Sequence, residues 1–312
     1  MSIARSKLIE SAALLREAAQ REDLIAKPPS ETHWNEHARL VKAALCISSF
    51  TALEEFVQCR IKEAISLLHG FPPSSSALPG ALKSALVAGA LDSLNARIKD
   101  PSRFNISDVN QLIIDHTKKI SSFSSAGIDP SDLTLSTNGS NVSWAIVENA
   151  LSALSIDNPQ SVVNGIAKRL EGGIFSAKDH FEGMISWRHK VAHISGSDVP
   201  LAQTQDYVMR LPLFCAAFDF ALSTGISRIL RNRTSGSAIV TKNANIQIRF
   251  VEFKSGMWRN RAETSKRAFS RDVDREITRN QAVEMARKGD QCVAIRSSSS
   301  GGYVESWSTP FV

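Results

Sequence analysis

Apolar side chains recur every three or four residues over most of the first 231 positions, which is the spacing of one buried face of a helix. The pattern predicts an amphipathic helix over Ile9–Ile25. It predicts a second helix, about nine or ten turns long, over Trp34–His69, and Gly70 and Pro72 follow it as helix-ending residues. The chain is therefore expected to begin as a helical bundle.

The middle of the chain, about residues 71–160, has a weaker pattern. Stretches rich in Pro and Ser, or in Asn, Gly and Ser, separate short helical segments. These segments are predicted over Ala81–Ile98, Val109–Ile120 and Val142–Leu154. We interpret the whole region as a helical insertion in the bundle.

The helical pattern becomes clear again after the insertion. It predicts helices over Ser161–Leu170, Phe181–Ile194 and Pro200–Arg231. Between the last two, Asp198 is expected to cap the closing helix, with Pro200 in its first turn.

Beyond Asn232 the apolar pattern changes to short alternating or β-branched runs, which are typical of strands. A helix over Thr278–Lys288, closed by Gly289, interrupts them, and Gly301-Gly302 is expected to form a turn. The predicted strands are Ala238–Thr241, Ile246–Phe253, Cys292–Arg296 and Tyr303–Trp307. We therefore predict a mainly α chain with two domains, a helical domain over 1–232 and a small α+β domain over 236–312.

The net charge divides along the same boundary. The chain has 37 Lys and Arg against 31 Asp and Glu, a formal charge of +6. The last 81 residues have 14 basic and 8 acidic side chains, whereas the preceding part has 23 of each. The C-terminal domain is therefore expected to bind a polyanion, and the upstream helices to fold without it if the chain is ended near Gly236.

The four cysteines are not spaced for a metal site or for a redox pair, and they lie in apolar segments. They are interpreted as reduced core thiols of a cytoplasmic protein. No signal peptide and no membrane-spanning window are expected, so membrane attachment is not predicted.

The segment Arg188-His189-Lys190-Val191-Ala192-His193 carries the chemistry. A histidine titrates near neutrality and can accept the proton of a ribose 2′-hydroxyl. An arginine stays charged and can stabilise the charge that develops on a phosphate. Together these groups can cleave RNA without a metal. Glu54 lies beside the apolar stripe of the long second helix, so it is the carboxylate expected to face inward towards an arginine.

Arg188, the polar residue His189 and then His193 resemble the motif of the HEPN superfamily (higher eukaryotes and prokaryotes nucleotide-binding). The apolar residues around the motif and the acidic segment Phe50–Val57 are also similar to that family's paired helices. The resemblance spans about residues 1–232. It departs from one subgroup of HEPN toxins at Ser195, where toxins regulated by AMP transfer usually have tyrosine.

The resemblance implies a homodimeric, metal-independent endoribonuclease of the toxin or antiviral defence type, with RNA as substrate and no cofactor. It implies that His193 is the general base, that the opposite protomer's histidine is the acid, and that Arg188 binds the scissile phosphate. His189 and Glu54 complete the candidate catalytic set. An antitoxin or another defence protein is a possible partner.

Three alternatives remain open from the residues. Arg188 can simply pair with an acid such as Glu54, with His193 as an ordinary surface imidazole. His189 and His193 have the four-residue spacing of a zinc site, but Lys190 stands where a zinc protease has its glutamate. Finally, the chain can be an inactive dimerisation or nucleic-acid-binding module that works through its basic C-terminal domain. Candidate nucleic-acid-binding residues are Lys190, Trp258, Arg259, Arg261, Lys266 and Arg267.

Overall fold

The computed structural model describes residues 2–72, 78–99, 106–124, 127–135, 142–171, 173, 175–232, 240–297 and 303–310. Within these ranges the chain forms ten α-helices: α1 (Ile3–Ala19), α2 (Thr32–Ser66), α3 (Gly80–Ser84), α4 (Ala90–Ile98), α5 (Ile106–Ser121), α6 (Trp144–Ala153), α7 (Pro159–Glu171), α8 (Ala177–His193), α9 (Leu201–Arg231) and α10 (Arg275–Gly289). A π-helical turn, Ala85–Gly89, joins α3 to α4. The mainly α fold with a small C-terminal α+β part is confirmed.

The bundle is built around α9, most of whose residues are buried. Helices α1, α2 and α7 pack along it, and α8 packs on α2. By length and composition α9 is apolar enough to span a membrane, contrary to the sequence-based expectation, but 89% of its most apolar window is buried inside the protein. It therefore has the surroundings of a core helix.

Five strands form one mixed sheet in the order β3-β2-β1-β4-β5. Their bounds are β1 (Ile248–Lys254), β2 (Met257–Ala262), β3 (Ser270–Asp272), β4 (Cys292–Arg296) and β5 (Val304–Ser308). The pair β1 and β4 is parallel, and the other three pairs are antiparallel. The sequence analysis missed β2 and β3, because their arginines hide the alternation of apolar residues.

Two smaller predictions need correction, and a third is not tested. Of the predicted strand Ala238–Thr241, residues 238 and 239 lie outside the description, and Thr241 forms only an isolated bridge with Ile156. The left-handed residue that closes α10 is Asp290, with φ of 54°, rather than Gly289. The predicted turn at Gly301-Gly302 lies outside the described residues.

Each face of the sheet packs on helices. Val251, Trp258, Val293 and Ile295 pack against α10. On the opposite face, Phe250, Ala294 and Trp307 belong to the same apolar core as the helical bundle. Removal of the C-terminal part would therefore expose some of the apolar surface that the bundle shares with the sheet. Whether 1–232 and 236–312 fold as separate domains stays a prediction.

A fully buried carboxylate, Asp219 in α9, links the sheet to the bundle. It accepts hydrogen bonds from Arg5 of α1 at 2.8 Å, from Arg60 of α2 at 2.7 Å and from the indole of Trp307 in β5 at 2.8 Å. Burial by itself raises the pKa of Asp219, but the charges of Arg5 and Arg60 and the indole hydrogen bond outweigh burial and hold its pKa well below the usual range. We call these four residues the Asp219 cluster.

The Asp219 cluster gives the first prediction. Asp219→Asn leaves two buried guanidinium groups without their shared anion, so we expect it to lower the free energy of unfolding by about 3–5 kcal/mol. Trp307→Phe removes one hydrogen bond and should cost about 1–3 kcal/mol. Urea unfolding followed by circular dichroism measures both.

Glu55→Gln is the control, because it breaks the exposed Lys7–Glu55 ion pair of the same bundle. This change should cost less than about 1 kcal/mol. Equal costs for Asp219→Asn and Glu55→Gln would contradict a structural role for the Asp219 cluster.

Candidate functional site

Helix α8 carries the sequence motif in its last two turns. Its first turn is capped by Ser176, whose hydroxyl accepts a hydrogen bond from the Asp179 amide. Phe181 anchors the helix to α2 by an edge contact with Phe50, with ring centroids 6.2 Å apart. The helix ends at His193, and Gly196 follows with φ of 80°. The motif is therefore held on a rigid, buried base with its functional end at the surface.

Two imidazoles stand side by side at this end. The rings of His189 and His193 have centroids 4.7 Å apart and an angle of 50° between their planes. Both side chains are exposed. Their four-residue spacing places them on the same face of α8. The helix therefore presents two adjacent imidazoles to solvent.

Arg188 lies on a different side of α8 from this pair. It is half-buried, and its charge acts on the carboxylate of Glu54 in α2. Burial raises the pKa of Glu54, while a 2.8 Å hydrogen bond from the Val142 amide and the charge of Arg188 oppose that shift. In the described part of the chain no hydrogen bond or ion pair joins Arg188 to His193. Arg188 therefore lies close enough to Glu54 for its charge to act on that carboxylate, and a direct pairing of the two stays a prediction.

The loop after α8 is fixed by a residue pair that the sequence analysis did not identify. Lys42 of α2 is buried, and its amino group lies 2.5 Å from Asp198. Asp198 does not cap α9, as had been expected, because α9 begins after Pro200 and Asp198 turns towards Lys42. A buried lysine on an otherwise apolar helix face was the signal in the sequence. The pair holds the loop against α2 five residues beyond His193.

The predicted nucleic-acid-binding residues divide into accessible and engaged groups. Lys190 is exposed, with its amino group 4.5 Å from the centre of the Trp187 ring. Lys266 and Arg267 are exposed, and Arg259 is half-exposed. Arg261 is paired with Glu252 at 2.7 Å.

Trp258 requires a correction. Its indole is 9% exposed and packs under α10, with the Arg275 guanidinium 5.1 Å from the ring centre. Neither face of the ring is open to a nucleic-acid base. Trp258 is therefore a core residue of the sheet, although its neighbours in sequence are basic.

A second histidine of α8 has a different environment. His180 is buried beside Phe175 and Tyr207, and its Nε2 has no hydrogen-bond partner among the described residues. Burial lowers the pKa of His180 to about 3, and the charge of Arg210 acts in the same direction. The carboxylate of Asp206 lies 4.0 Å from its Nδ1. His180 therefore belongs to the buried base of the helix.

The metal alternative gains no further ligand. Among the described residues, no group of three His, Cys, Asp or Glu side chains is arranged to hold a metal ion. The histidine pair at the end of α8 therefore stands as two ligands at most, with Lys190 between them in the sequence.

A family model described as RiboL-PSP-HEPN matches residues 10–219, about two-thirds of the chain. The chain belongs to the HEPN superfamily. The matched range contains Glu54, Arg188, His189 and His193, and it ends at Asp219. No curated protein and no solved structure matches the chain. Membership of the HEPN superfamily indicates a nuclease or nucleic-acid-related role.

The burial of His180 gives a prediction for the HEPN domain. The folded protein keeps this imidazole neutral, whereas the unfolded chain takes up a proton below about pH 6.5. The contribution of His180 to the free energy of unfolding is therefore fully present above about pH 6.5, and it is lost as the pH falls towards 3. The loss should reach roughly 2 kcal/mol between pH 7 and pH 5.

Urea unfolding at pH 7 and pH 5 measures this dependence in the wild type, in His180→Leu and in the control His33→Leu, which removes an exposed histidine of α2. His180→Leu should show the smaller loss of stability at pH 5. If His180→Leu and His33→Leu depend on pH to the same extent, His180 is protonated in the folded state.

Proposed function

We propose that this HEPN protein is a metal-independent endoribonuclease. The observation that carries the proposal is the exposed pair His189 and His193 at the end of α8, with Arg188 on the adjoining side of the helix. Imidazole and guanidinium groups supply the acid–base and electrostatic parts of RNA cleavage. The family supports a nucleic-acid-related role.

In the proposed reaction His193 removes the proton of a ribose 2′-hydroxyl. The 2′-oxygen attacks the adjacent phosphorus, and the bond from phosphorus to the 5′-oxygen breaks. A second histidine donates a proton to the leaving 5′-oxygen. The products are a 2′,3′-cyclic phosphate and a free 5′-hydroxyl. DNA lacks the 2′-hydroxyl and would not react.

Arg188 is proposed to bind the scissile phosphate, with Glu54 as a positioning residue. The carboxylate of Glu54 is held by the Val142 amide and attracts the half-buried guanidinium. A restrained guanidinium loses less conformational freedom when it binds an anion. Because Glu54 acts on the charge of the arginine and not on the reacting atoms, its removal should affect catalysis less than removal of Arg188.

The second histidine is proposed to come from another copy of the chain. Attacking and leaving oxygens lie roughly in line on opposite sides of phosphorus. Rings 4.7 Å apart on one helix face lie on the same side of a bound phosphate. A twofold dimer that brings two α8 ends together would place a histidine on each side, and such dimers are the commonest symmetric assembly.

The proposed biological setting is growth arrest, as a toxin or a defence effector in the cytoplasm. Uncontrolled RNA cleavage damages the host cell, so a restraining antitoxin or a defence partner protein is part of the proposal. Ser195 lacks the phenol that AMP transfer requires in related toxins, which favours restraint by another route.

An inactive nucleic-acid-binding module is the second candidate. It is favoured by the location of Arg188, whose charge acts on Glu54 within the protomer and which, among the described residues, has no hydrogen bond or ion pair with His193. In that case the exposed cations of the C-terminal sheet would be the functional part. Cleavage assays separate the two candidates.

We expect His193→Ala and Arg188→Ala each to reduce RNA cleavage by about 10²- to 10⁴-fold, because each removes a group that acts in the transition state. Cleavage of a labelled single-stranded RNA in the presence of EDTA is the measurement. Products should end in a 2′,3′-cyclic phosphate or its hydrolysed 3′-phosphate.

His33→Ala and Arg287→Ala are matched controls, since they remove an exposed histidine and an exposed arginine outside α8. Both should retain wild-type activity, and all variants should keep the wild-type circular dichroism spectrum. Loss of wild-type cleavage on chelation, or full activity of His193→Ala, would refute the proposal.

Mixing wild-type and His193→Ala protein tests the shared site. If both histidines are needed in one dimer, a mixed dimer is inactive and activity follows the square of the wild-type fraction. When the two proteins are mixed in equal amounts at constant total protein and have exchanged subunits, we expect about one-quarter of the activity of wild-type protein alone. A site complete within one protomer would retain about one-half. Light scattering on the same samples reports the oligomeric state.

A further inference from the structure

We propose that Arg259 and Arg271 form a docking site for the phosphate backbone of single-stranded RNA, separate from the α8 site. Arg259 lies on β2 and Arg271 on the edge strand β3, and the two are directly opposite in the antiparallel register. Their side chains therefore project from the same face of the sheet, with β-carbons about 5 Å apart. We call them the edge arginine pair.

Like charges in directly opposed positions destabilise a sheet unless an anion lies between them. Within the described residues, neither member of the pair has a carboxylate at ion-pair distance. The Nε of Arg259 is buried and has no hydrogen-bond partner in that part of the chain. The pair therefore presents guanidinium donors that nothing in the described fold satisfies.

The carboxylate opposite Arg259 in the strand register is already engaged. Glu252 of β1 is opposite Arg259, but it accepts a hydrogen bond from Arg261 at 2.7 Å and lies 3.6 Å from Arg296. Burial raises the pKa of Glu252, and the contacts with Arg261 and Arg296 outweigh burial and lower it. Glu252 is thus engaged by Arg261 and Arg296, and it forms no ion pair with Arg259 or Arg271. The excess positive charge is concentrated at the edge arginine pair.

The surroundings of the pair fit a nucleic acid better than an acidic peptide. The connection from β2 to β3 adds the exposed cations Lys266 and Arg267. Phe269, next to β3, is 69% exposed, and its ring centre lies 6.0 Å from the guanidinium of Arg249; an exposed ring beside cations at a sheet edge can stack on an unpaired base. The planar guanidinium matches two phosphate oxygens at once. The choice of RNA over DNA rests on the proposed function.

Protection of the sheet edge is the simplest other role for these charges, because charged residues on an edge strand prevent pairing with other chains. That role requires charge on β3 alone. It does not account for a second arginine on β2 directly opposite Arg271, which adds repulsion and no further protection.

The test is RNA binding by the full chain, measured by fluorescence anisotropy with a labelled oligouridylate of 20 nucleotides. The parent protein carries His193→Ala so that the probe is not cleaved. The variant Arg259→Gln/Arg271→Gln should bind more weakly than its parent. The slope of log affinity against log salt should fall by about 1.4, because each lost phosphate contact on a single strand removes about 0.7. Lys118→Gln/Arg287→Gln, which removes the same charge from exposed positions on α5 and α10, should leave that slope unchanged.

Thermal unfolding excludes a merely structural effect. The edge-pair variant relieves repulsion, so its melting temperature should equal or exceed that of the parent. An unchanged salt slope, or a lowered melting temperature together with weaker binding, would overturn the proposal.

An oligoglutamate of equal charge is the second probe. If it binds as tightly as the RNA and loses as much affinity in the edge-pair variant, the site belongs to an acidic protein and the RNA assignment fails. Cleavage by the otherwise wild-type chain is assayed separately. The docking site and the proposed nuclease activity can therefore fail independently.

Discussion

The buried carboxylate of Asp219 is the interaction on which the arrangement of the chain depends. Two arginines and an indole meet at it, and they come from the first helix, the second helix and the last strand. A buried charge is tolerable only when its partners are in place, because an unpaired one is strongly destabilising. Helix α1 and strand β5 are therefore both needed to supply hydrogen bonds to a single buried carboxylate of α9. This explains why the sheet shares a core with the bundle although the two differ in net charge.

Helix α2 connects this constraint to the candidate site. Arg60 binds Asp219, the charge of Arg188 acts on Glu54, and Lys42 pairs with Asp198 in the loop after α8. These three positions span 18 residues of one helix, or about 27 Å. A helix of this length is stiff when packed. The Asp219 cluster therefore fixes the position of α2 along its axis and its rotation about that axis. Arg188 and the loop after α8 are then both positioned relative to α2.

The helices were predictable from sequence because their apolar period is strong, and the resemblance to the HEPN superfamily located Arg188, His189 and His193. Glu54 could also be placed, since it borders the apolar stripe of α2. The pairing of Lys42 with Asp198 could not, because it joins residues far apart in sequence through tertiary packing. Strands β2 and β3 were missed for a related reason. Their exposed positions carry arginines where a half-buried strand usually has apolar or β-branched residues. Trp258 was predicted to bind nucleic acid because the sequence does not show that α10 covers its ring.

Helix geometry itself sets a limit on what one protomer can do. Residues five apart are rotated by about 140° around the axis, so Arg188 cannot share a face with His193, while His189 and His193 do share one. A phosphate held at this end of α8 would therefore meet both histidines from the same side. On the proposed mechanism, an isolated chain therefore has an electrostatic group and a base but no acid in line with the leaving oxygen. Assembly would complete the site, so the concentration of the chain, or a partner that masks the end of α8, would determine whether RNA is cut. If the proposed activity holds, with a substrate that is present throughout the cell, this dependence on assembly would itself restrain cleavage.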